Sequence, residues 1–453
     1  METFNLLLVT DTHYFASKLG CRGEAYREFM RFEQKCFAET QSINNAAFAL
    51  LNETELADTV LIAGDLSFNG EKESHLEFLE LLKNLKAHGK RVFVITAGHD
   101  FNDHPFAFDE TGRLEPEGTK REELFDLYYD YGFSDAIAVD RASLSYVAQL
   151  APGLRLLALN NDGNASVGHT YPARQIEWIL RQTKKAREEG QTMIAMNHYP
   201  LLPGVPLFSL LGNEVVMKNA DFITTMLADE GVHLCFTGHM HNMAINEKIT
   251  EKGNRFYDVC TGSLIGHPAG MRLVSFSDGY KTAEIRTLPI PAFDWDFGGL
   301  TQEEYLQRQF DSMITEMLTA MRDDPTRFLN KIGMKNASDG VKNIVARIGA
   351  RVNSITVGEV CRLARVSCDD SIRDLLFKDL ARDLVRHAFE GDMPYVKGTP
   401  EYDAVMGVIG RFSPILKNVK INGKSADLYD MIEKTIGKYG LSDTEETLTL
   451  ADA

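Results

Sequence analysis

The stretch "VITAGHDF" (residues 94–101) joins the end of an apolar run to an adjacent histidine and aspartate, His99 and Asp100. Short β-branched and aromatic runs that end in Gly and other turn-forming residues are typical of buried strands. We therefore predict a strand over 91–95 that delivers His99 and Asp100 into a turn at its carboxyl end. That edge of an open α/β sheet is where ligands usually bind.

The same alternation of short apolar runs and helical patterns continues to about residue 290. It predicts a layered α/β fold, with helices over 74–88, 120–131 and 173–189 among others. Strands crowd together after residue 230 without helices between them, which indicates mixed sheets. The predicted strands are 5–9, 59–62, 91–95, 154–159, 192–196, 233–236, 255–260, 272–276 and 282–286.

The last third of the chain has a different character. The segment 287–305 is rich in Pro, Gly and aromatic residues, which is typical of a linker or an interface. We predict a first domain over 1–290, a linker over 291–300 and a helical domain over 301–453 that packs on the first through 287–300. The tail after Gly440 is polar and is expected to be frayed. The predicted helices of this part are 301–322, 338–350, 355–365, 369–390, 400–411 and 424–438.

Composition limits the class of protein. Of 453 residues, 44% are hydrophobic and 25% are charged, close to the average of soluble globular proteins. The net charge of −17 argues against a general nucleic-acid binder, and the apolar runs are too short to span a bilayer. The N-terminus lacks a signal-peptide pattern, and the six cysteines have no C-x-x-C spacing. These features predict a cytoplasmic protein with reduced cysteines.

Possible metal ligands follow four of the predicted strands. Carboxylate and imidazole groups together suit Mn²⁺, Fe²⁺ or Zn²⁺, and the lack of thiolate ligands argues against a structural zinc site. Six ligands are too many for one catalytic ion with open positions, whereas two divalent ions that share one carboxylate fit the number. The six candidates are Asp11, His13, Asp65, His198, His239 and His241.

The order of these motifs, Asp11-x-His13, Gly64-Asp65, His99-Asp100, His198 and Gly238-His239-Met240-His241, resembles the calcineurin-like metallophosphoesterase superfamily. The resemblance covers about residues 3–290. It implies a four-layer αββα sandwich of two mixed sheets, followed here by a smaller all-α domain. The stretches "GDLSFNGEKESH" (64–75) and "SLSY" (143–146), with the appended helical domain, further resemble bacterial phosphohydrolases and cyclic-nucleotide-type phosphodiesterases.

The resemblance also implies roles for the side chains. Asp11, His13 and His241 would hold one ion, His198 and His239 the other, and Asp65 would bridge them. A hydroxide between the two ions would attack phosphorus in line. His99 would stabilise or protonate the leaving oxygen. Asp100 would either orient the ring of His99 or serve the structure of the loop.

Gly98 departs from the family pattern, which reads Gly-Asn-His-Asp where this chain has Ala97-Gly98-His99-Asp100. The family's Asn oxygen is a metal ligand, and glycine has no side chain that could replace it. Three hypotheses remain open. Water fills the position, or Asn102, Asp103 or another nearby oxygen does, or the second ion is lost. A second departure is Phe68, where many relatives carry an acidic residue.

The sequence thus predicts a metal-dependent phosphoesterase with a small phosphorylated substrate, and phosphodiesters come first among the candidates. The alternative is a non-catalytic or one-metal interaction protein on the same fold. In either case the helical domain could form a homodimer or bind a partner protein, and neither nucleic acid nor a membrane is expected as a partner. Other histidines receive weaker predictions: the rim of the site or a surface loop for His104, His169 and His267, and solvent-facing helix positions for His75, His88 and His387.

Overall fold

The computed structural model describes residues 3–162, 169–206, 216–331, 337–417, 419–421, 424–437 and 442–450. Most predicted strands are present within a residue or two of their predicted bounds. Strands that the sequence analysis missed are β4 to β7, β11 and β15 to β17. The strands are β1 (Phe4–Val9), β2 (Thr59–Ala63), β3 (Arg91–Ile95), β4 (Ala107–Asp109), β5 (Gly112–Leu114), β6 (Ala136–Asp140), β7 (Ser145–Ala151), β8 (Leu154–Ala158), β9 (Thr192–Met196), β10 (Val232–Thr237), β11 (Ala244–Ile249), β12 (Arg255–Cys260), β13 (Gly270–Ser277), β14 (Thr282–Pro289), β15 (Val419–Ile421), β16 (Lys424–Ala426) and β17 (Glu445–Thr449).

The helices lie between these strands and dominate the chain after residue 300. The helix predicted over 120–131 is instead a chain of short helical turns, with one α-helical turn at Leu124–Leu127. The helices are α1 (Glu24–Met30), α2 (Thr40–Glu53), α3 (Lys72–Ala87), α4 (Leu124–Leu127), α5 (Ala173–Glu188), α6 (Ala220–Asp229), α7 (Gln302–Asp323), α8 (Pro325–Lys331), α9 (Asp339–Val352), α10 (Val357–Ala364), α11 (Phe377–Glu390), α12 (Pro400–Arg411), α13 (Ser413–Leu416) and α14 (Leu428–Gly437). Among the described residues, no helix is both long and apolar enough to cross a membrane.

Two mixed sheets form the centre of the first part. One has six strands in the order β17-β14-β13-β1-β2-β3, with β1, β2 and β3 parallel to one another. The other has seven strands in the order β11-β12-β10-β9-β8-β7-β6, with β8, β9, β10 and β12 parallel. The carboxyl ends of the parallel strands of both sheets carry the loops in which the candidate ligands lie.

Alternation of side chains along the strands explains the layers. On β8, Leu156 belongs to the core between the two sheets, whereas the next residue, Leu157, packs on the opposite face under α5 and α6. Phe48 of α2 and Phe78 of α3 pack against the six-stranded sheet. Helices therefore cover the outer face of each sheet, and the predicted four-layer αββα sandwich is confirmed.

The helical part departs from the sequence analysis in two places. The helix expected over 369–390 starts only at Phe377, and residues 424–426, expected to be helical, form β16 with β15 as its partner. The expectation of a frayed tail is wrong for residues 445–449, because β17 pairs antiparallel with β14. Leu448 and Leu450 of this tail are buried in the main core, so apolar burial fixes a segment that looks polar in sequence.

The segment after β14 holds the helical part against the sandwich, as expected for 287–300. Phe293 is buried in the main core, and Trp295 donates a hydrogen bond to the Tyr305 hydroxyl at 3.1 Å. Tyr305 in turn donates to the carboxylate of Glu39. Farther along, the Met243 N–H donates to the Phe389 carbonyl at 2.8 Å. The helices thus contact the sandwich both beside the first helices and beside the loop after β10.

Candidate metal centre

Four loops carry the candidate ligands, and backbone hydrogen bonds join these loops in two pairs. Asp11 N–H donates to the Gly64 carbonyl at 3.0 Å, and His13 N–H donates to the Asp65 carbonyl at 2.9 Å, which ties the loop after β1 to the loop after β2. Gly238 N–H donates to the His198 carbonyl at 2.9 Å, which ties the loop after β10 to the loop after β9. These bonds continue the register of the parallel strands beyond their ends.

Five of the six candidate ligands have a left-handed backbone conformation. A positive φ costs a residue with a side chain on the order of 1–3 kcal/mol, and such residues persist only where the surrounding structure fixes them. Strain of this kind concentrates at functional sites, and here it concentrates on the predicted ligands. The φ values are 50° at Asp11, 37° at His13, 51° at Asp65, 67° at His239 and 55° at His241.

The ligand atoms of all six candidates converge. One group consists of Asp11, His13 and His241, and a second of Asp65, His198 and His239; within each group the ligand atoms lie within 4.8 Å of one another. In the first group the two Nε2 atoms of His13 and His241 are 3.2 Å apart. In the second, His198 Nε2 lies 3.0 Å from Asp65 Oδ2. The structure therefore brings together every residue that the sequence analysis proposed as a ligand.

Hydrogen bonds behind the imidazoles fix which nitrogen faces the cluster. His198 Nδ1 lies 2.8 Å from the Ala63 carbonyl, which can only accept, so Nδ1 is the donor and Nε2 is the nitrogen that faces the cluster, where it offers a lone pair when a cation displaces its proton. His241 Nδ1 donates in the same way to Gln34 Oε1 at 3.1 Å. Metal-binding histidines almost always donate their second nitrogen in this manner. The arrangement fits divalent ions.

Charge at the cluster also fits divalent ions. Burial raises the pKa of Asp11 and Asp65, but the nearby imidazoles, His198 foremost, outweigh it and hold both pKa values well below the usual range. Burial lowers the pKa of His198, but Asp65 and Asp11 outweigh it and raise that pKa to about 10. Two buried carboxylates thus require positive charge beside them, which a protonated His198 or a divalent cation supplies.

His99 lies next to both groups. Its backbone N–H donates to Asp65 Oδ1 at 3.0 Å, and its ring stands edge-on to that of His13 with the centroids 4.8 Å apart. Its Nδ1 donates to the Phe68 carbonyl at 2.7 Å. The bond to Phe68 therefore fixes the orientation of the ring and leaves Nε2 as the nitrogen that can contact a substrate. Burial first, and the charge of Lys35 second, lower the pKa of His99.

The hydrogen bonds of Asp100 support the second of its two expected roles, in the structure of the loop, and not the orientation of His99. Its Oδ1 accepts hydrogen bonds from the N–H groups of Leu66 at 2.7 Å and Ser67 at 2.9 Å, and its Oδ2 accepts from Ala97 N–H at 2.8 Å. The carboxylate therefore joins the loops after β2 and β3. The group that orients His99 is the carbonyl of Phe68, at the position where relatives carry an acidic side chain.

Gly98 stands beside the second group, where the structure places an aromatic side chain. A Cβ added at Gly98 would lie 2.7 Å from the hydroxyl oxygen of Tyr199. The other oxygens considered for this place are engaged or exposed: Asn102 Oδ1 accepts from the His104 N–H at 2.9 Å, and Asp103 is exposed. Sequence reasoning missed Tyr199, although it directly follows His198.

Two further residues near the first group were missed, and no motif marks them. Gln34 supports His241, as described above. Lys35 is buried with its Nζ 4.5 Å from the centroid of the Phe68 ring and 3.9 Å from Glu33. After burial, its charge is the next cause of the lowered pKa of both His13 and His99. Both residues belong to the loop between α1 and α2.

The remaining histidines lie outside the two ligand groups. His169 stacks on Tyr199 with the ring centroids 3.7 Å apart, and His267 pairs with Glu390 of α11 at 2.6 Å. His104 is an exposed loop residue paired with Glu115. The prediction that His75 faces solvent is wrong: it is fully buried, and its Nε2 donates to the Asp100 carbonyl at 2.9 Å.

The chain is similar to one known protein family and to several solved structures. The sequence profile of the calcineurin-like phosphoesterase family matches residues 4–243, more than half of the chain. No curated protein sequence matches this chain significantly. Among solved structures, a dimetal phosphatase from Danio rerio is 13% identical to this chain, with a TM-score of 0.45. The aligned region covers 64% of this chain and 96% of the phosphatase chain. The purple acid phosphatase PPD1 of yellow lupin (Lupinus luteus) is 12% identical to this chain, with a TM-score of 0.44. The aligned region covers 65% of this chain and 53% of the lupin chain.

Proposed function

The chain belongs to the calcineurin-like phosphoesterase family and is a metal-dependent hydrolase of phosphoric esters, and we propose that it acts on phosphodiesters through the cluster at the strand ends. The observation that carries the proposal is the convergence of two carboxylates and four imidazoles into two adjoining groups at the carboxyl ends of the parallel strands. His13 Nε2 lies 3.6 Å from Asp11 Oδ1 and 3.7 Å from Asp65 Oδ2, so the two groups adjoin.

In this proposal, Asp11, His13 and His241 hold one ion, His198 and His239 hold the other, and Asp65 serves both. Mn²⁺, Fe²⁺ and Zn²⁺ suit this mixture of oxygen and nitrogen donors. Such ions lower the pKa of water to near neutrality and offset the charge that develops on the phosphoryl oxygens. The chain supplies the fixed ligand positions, since hydrogen bonds hold the rings of His198 and His241 from behind and backbone hydrogen bonds join the loops that carry the strained residues.

His99 delivers a proton to the leaving oxygen of the substrate. Nδ1 keeps its proton for the Phe68 carbonyl, so Nε2 is the nitrogen that faces the substrate. Because burial and the charge of Lys35 lower the pKa of His99, Nε2 carries a proton that it can give up only in the imidazolium form, which becomes more populated as the pH falls. An alkoxide leaves poorly unless it is protonated, and a positioned acid of this kind contributes about 10²–10⁴-fold. The half-buried position of His99 beside Asp65 places it at the edge of the cluster, where a leaving group departs.

The charges around the cluster favour a substrate of low charge. Lys35 is the cation that acts on both His13 and His99, and Glu33 lies 3.9 Å from it and offsets part of its charge. A phosphodiester carries one negative charge and a monoester close to two. A phosphodiester needs less positive charge from the protein than a monoester does, which supports a small phosphodiester as substrate.

Two further expectations accompany this proposal. The substrate is the partner that the site requires, and the helices after residue 300 are available for a homodimer or a protein partner. The six cysteines are free, four of them buried, which supports a reducing compartment such as the cytoplasm.

The test compares two chromogenic esters with Mn²⁺ present. We expect kcat/KM for bis(p-nitrophenyl) phosphate to exceed that for p-nitrophenyl phosphate, and Asp65→Ala to abolish both activities. A preference for the monoester would contradict the diester assignment. The alternative is a one-metal or non-catalytic interaction protein, and the absence of a side chain at Gly98 favours it. Hydrolysis of neither ester would support this alternative.

A further inference from the structure

Gly98 and Tyr199 are sterically matched. The Tyr199 hydroxyl oxygen lies 2.7 Å from the position that a Cβ at residue 98 would take. That distance is too short for a real contact, so no larger residue fits at 98 while Tyr199 stays in place. A carboxamide oxygen lies roughly 2.4 Å from its own Cβ by standard bond lengths. The phenol oxygen therefore lies nearly as far from that position as an asparagine oxygen would.

The ring of Tyr199 is held beside the second ligand group. It stacks on His169 with the centroids 3.7 Å apart and the planes 19° apart. Its other contacts are with the two imidazoles of the second group: the centroid of His239 lies 4.5 Å away, and that of His198 lies 5.1 Å away in an edge-on contact. Tyr199 is only 5% exposed, so the packing fixes where its hydroxyl points.

We propose that the phenol oxygen of Tyr199 is a fourth protein ligand of the ion held by Asp65, His198 and His239, in place of the side chain that is absent at Gly98. This inference rests on the proposed function, because it needs an ion at the second group. It replaces the neutral amide oxygen of the family pattern with a phenol oxygen delivered from the loop after β9. Phenol oxygen joins imidazole and carboxylate, so the donor set stays suited to the same divalent ions.

The geometry also distinguishes this role from simple packing. A ring that only filled space beside His239 would need no polar atom at its far end, and phenylalanine would serve equally well. A hydroxyl at the place of a lost ligand has consequences for the second ion alone. The first group, Asp11, His13 and His241, should not depend on it.

The experiment measures bound Mn²⁺ per full-length chain against free Mn²⁺, by equilibrium dialysis and elemental analysis. We compare the wild type with Tyr199→Phe, with Gly98→Asn and with the double variant Gly98→Asn/Tyr199→Phe. Tyr171→Phe is the matched control. Tyr171 is a buried tyrosine of the same core cluster, and its hydroxyl has no hydrogen-bond partner among the described residues.

We expect the wild type and Tyr171→Phe to bind two ions. Tyr199→Phe should weaken the second ion at least about tenfold, the smallest loss that follows removal of an outer supporting group, and leave the first unchanged. Gly98→Asn should also weaken it, because the new side chain collides with Tyr199. The double variant should regain the second ion, since the asparagine oxygen then has room and takes the ligand position.

Two results would overturn the inference while leaving the proposed function intact. One is Tyr199→Phe binding both ions with wild-type affinity, which would assign the position to water. The other is an equal loss in Tyr171→Phe, which would assign the effect to packing. A wild type that binds fewer than two ions would instead refute the two-ion function itself. If Tyr199→Phe does not fold, as judged by circular dichroism, the double variant decides: failure to bind the second ion counts against the proposal.

Discussion

The two ligand groups are built alike at the strand ends but are supported differently. In the first group, His241 is held by Gln34, whose amide donates to the His267 carbonyl at 2.8 Å, and His267 pairs with Glu390 of α11. Support therefore extends to the helical part of the chain. The second group is supported at close range, by the Ala63 carbonyl behind His198 and by the Tyr199 ring.

This difference shows where variation in such a site is tolerated. The ligands that follow the strands keep their pattern in both groups, because the strand ends fix their positions. The family pattern places a ligand in the turn after β3, residue 98 of this chain is a glycine, and we propose that the hydroxyl of Tyr199 in the loop after β9 takes that role. The first ion should therefore respond to changes far away, and the second to changes in one local contact.

Substitution of the shared residue should have the largest effect. Asp65→Ala removes the carboxylate assigned to both groups, so we expect kcat/KM for a phosphodiester to fall at least about 10³-fold, equivalent to several kcal/mol of transition-state stabilisation. Steady-state kinetics with Mn²⁺ measures this. Asp103→Ala, an exposed carboxylate near the same loops, is the control and should change little. Activity retained in Asp65→Ala would mean that the two groups do not share this residue.

His99 belongs to neither group, and its substitution should separate chemistry from metal binding. We expect His99→Gln to lose about 10²–10⁴-fold in kcat while both ions stay bound, because the backbone N–H to Asp65 is kept. Kinetics and elemental analysis on the same sample make the comparison, with exposed His104→Gln as the control. If the metal content falls in step with activity, His99 acts as a ligand.

Gln34 tests the first group alone. Gln34→Ala leaves His241 without its partner, and we expect the first ion to bind about 10–100-fold more weakly and the second to be unaffected. Dialysis against Mn²⁺ resolves the two steps. Gln41→Ala removes a glutamine that contacts Tyr14 and Glu77 instead and should leave both ions in place. Equal weakening of both ions would remove the distinction between the groups.

Asp100 should give the smallest effect on activity. Asp100→Asn replaces an acceptor of three backbone N–H bonds, so we expect the free energy of unfolding to fall by about 1–3 kcal/mol and kcat/KM to fall less than about tenfold. Urea unfolding followed by circular dichroism gives the first quantity. A loss of activity as large as that of His99→Gln, in a protein of unchanged stability, would return Asp100 to a catalytic role.

The sequence was sufficient for the features that follow from the order of strands. Residues directly after β1, β2, β3, β9 and β10 were expected at the edge of the sheets where ligands bind, and with the family resemblance this was enough to propose six candidate ligands and His99 without a structure. The same reasoning could not decide between the two roles of Asp100, because its partners, Leu66 and Ser67, lie on another loop. Neither could it place Gln34, which has no motif and reaches His241 from a distant segment.

Long-range pairing set the limits for the fold in the same way. The tail of the chain reads as polar, and nothing local to it reveals that β17 is a strand of the sheet that contains β1, or that Leu448 and Leu450 are buried in the main core. His75 reads as an exposed helix residue, because its partners, Tyr128 and the Asp100 carbonyl, come from other segments. In each case the contact that decides the structure joins residues that are far apart along the chain, so local sequence patterns do not reveal it.

The central claim is that the chain holds two ions despite Gly98. The most direct test is the metal content per chain of wild-type protein purified without chelator, supplied with Mn²⁺ and desalted. The account predicts about two equivalents, one for each ligand group. One equivalent or none would contradict it, and would mean that the second group does not hold an ion without the asparagine that Gly98 replaces.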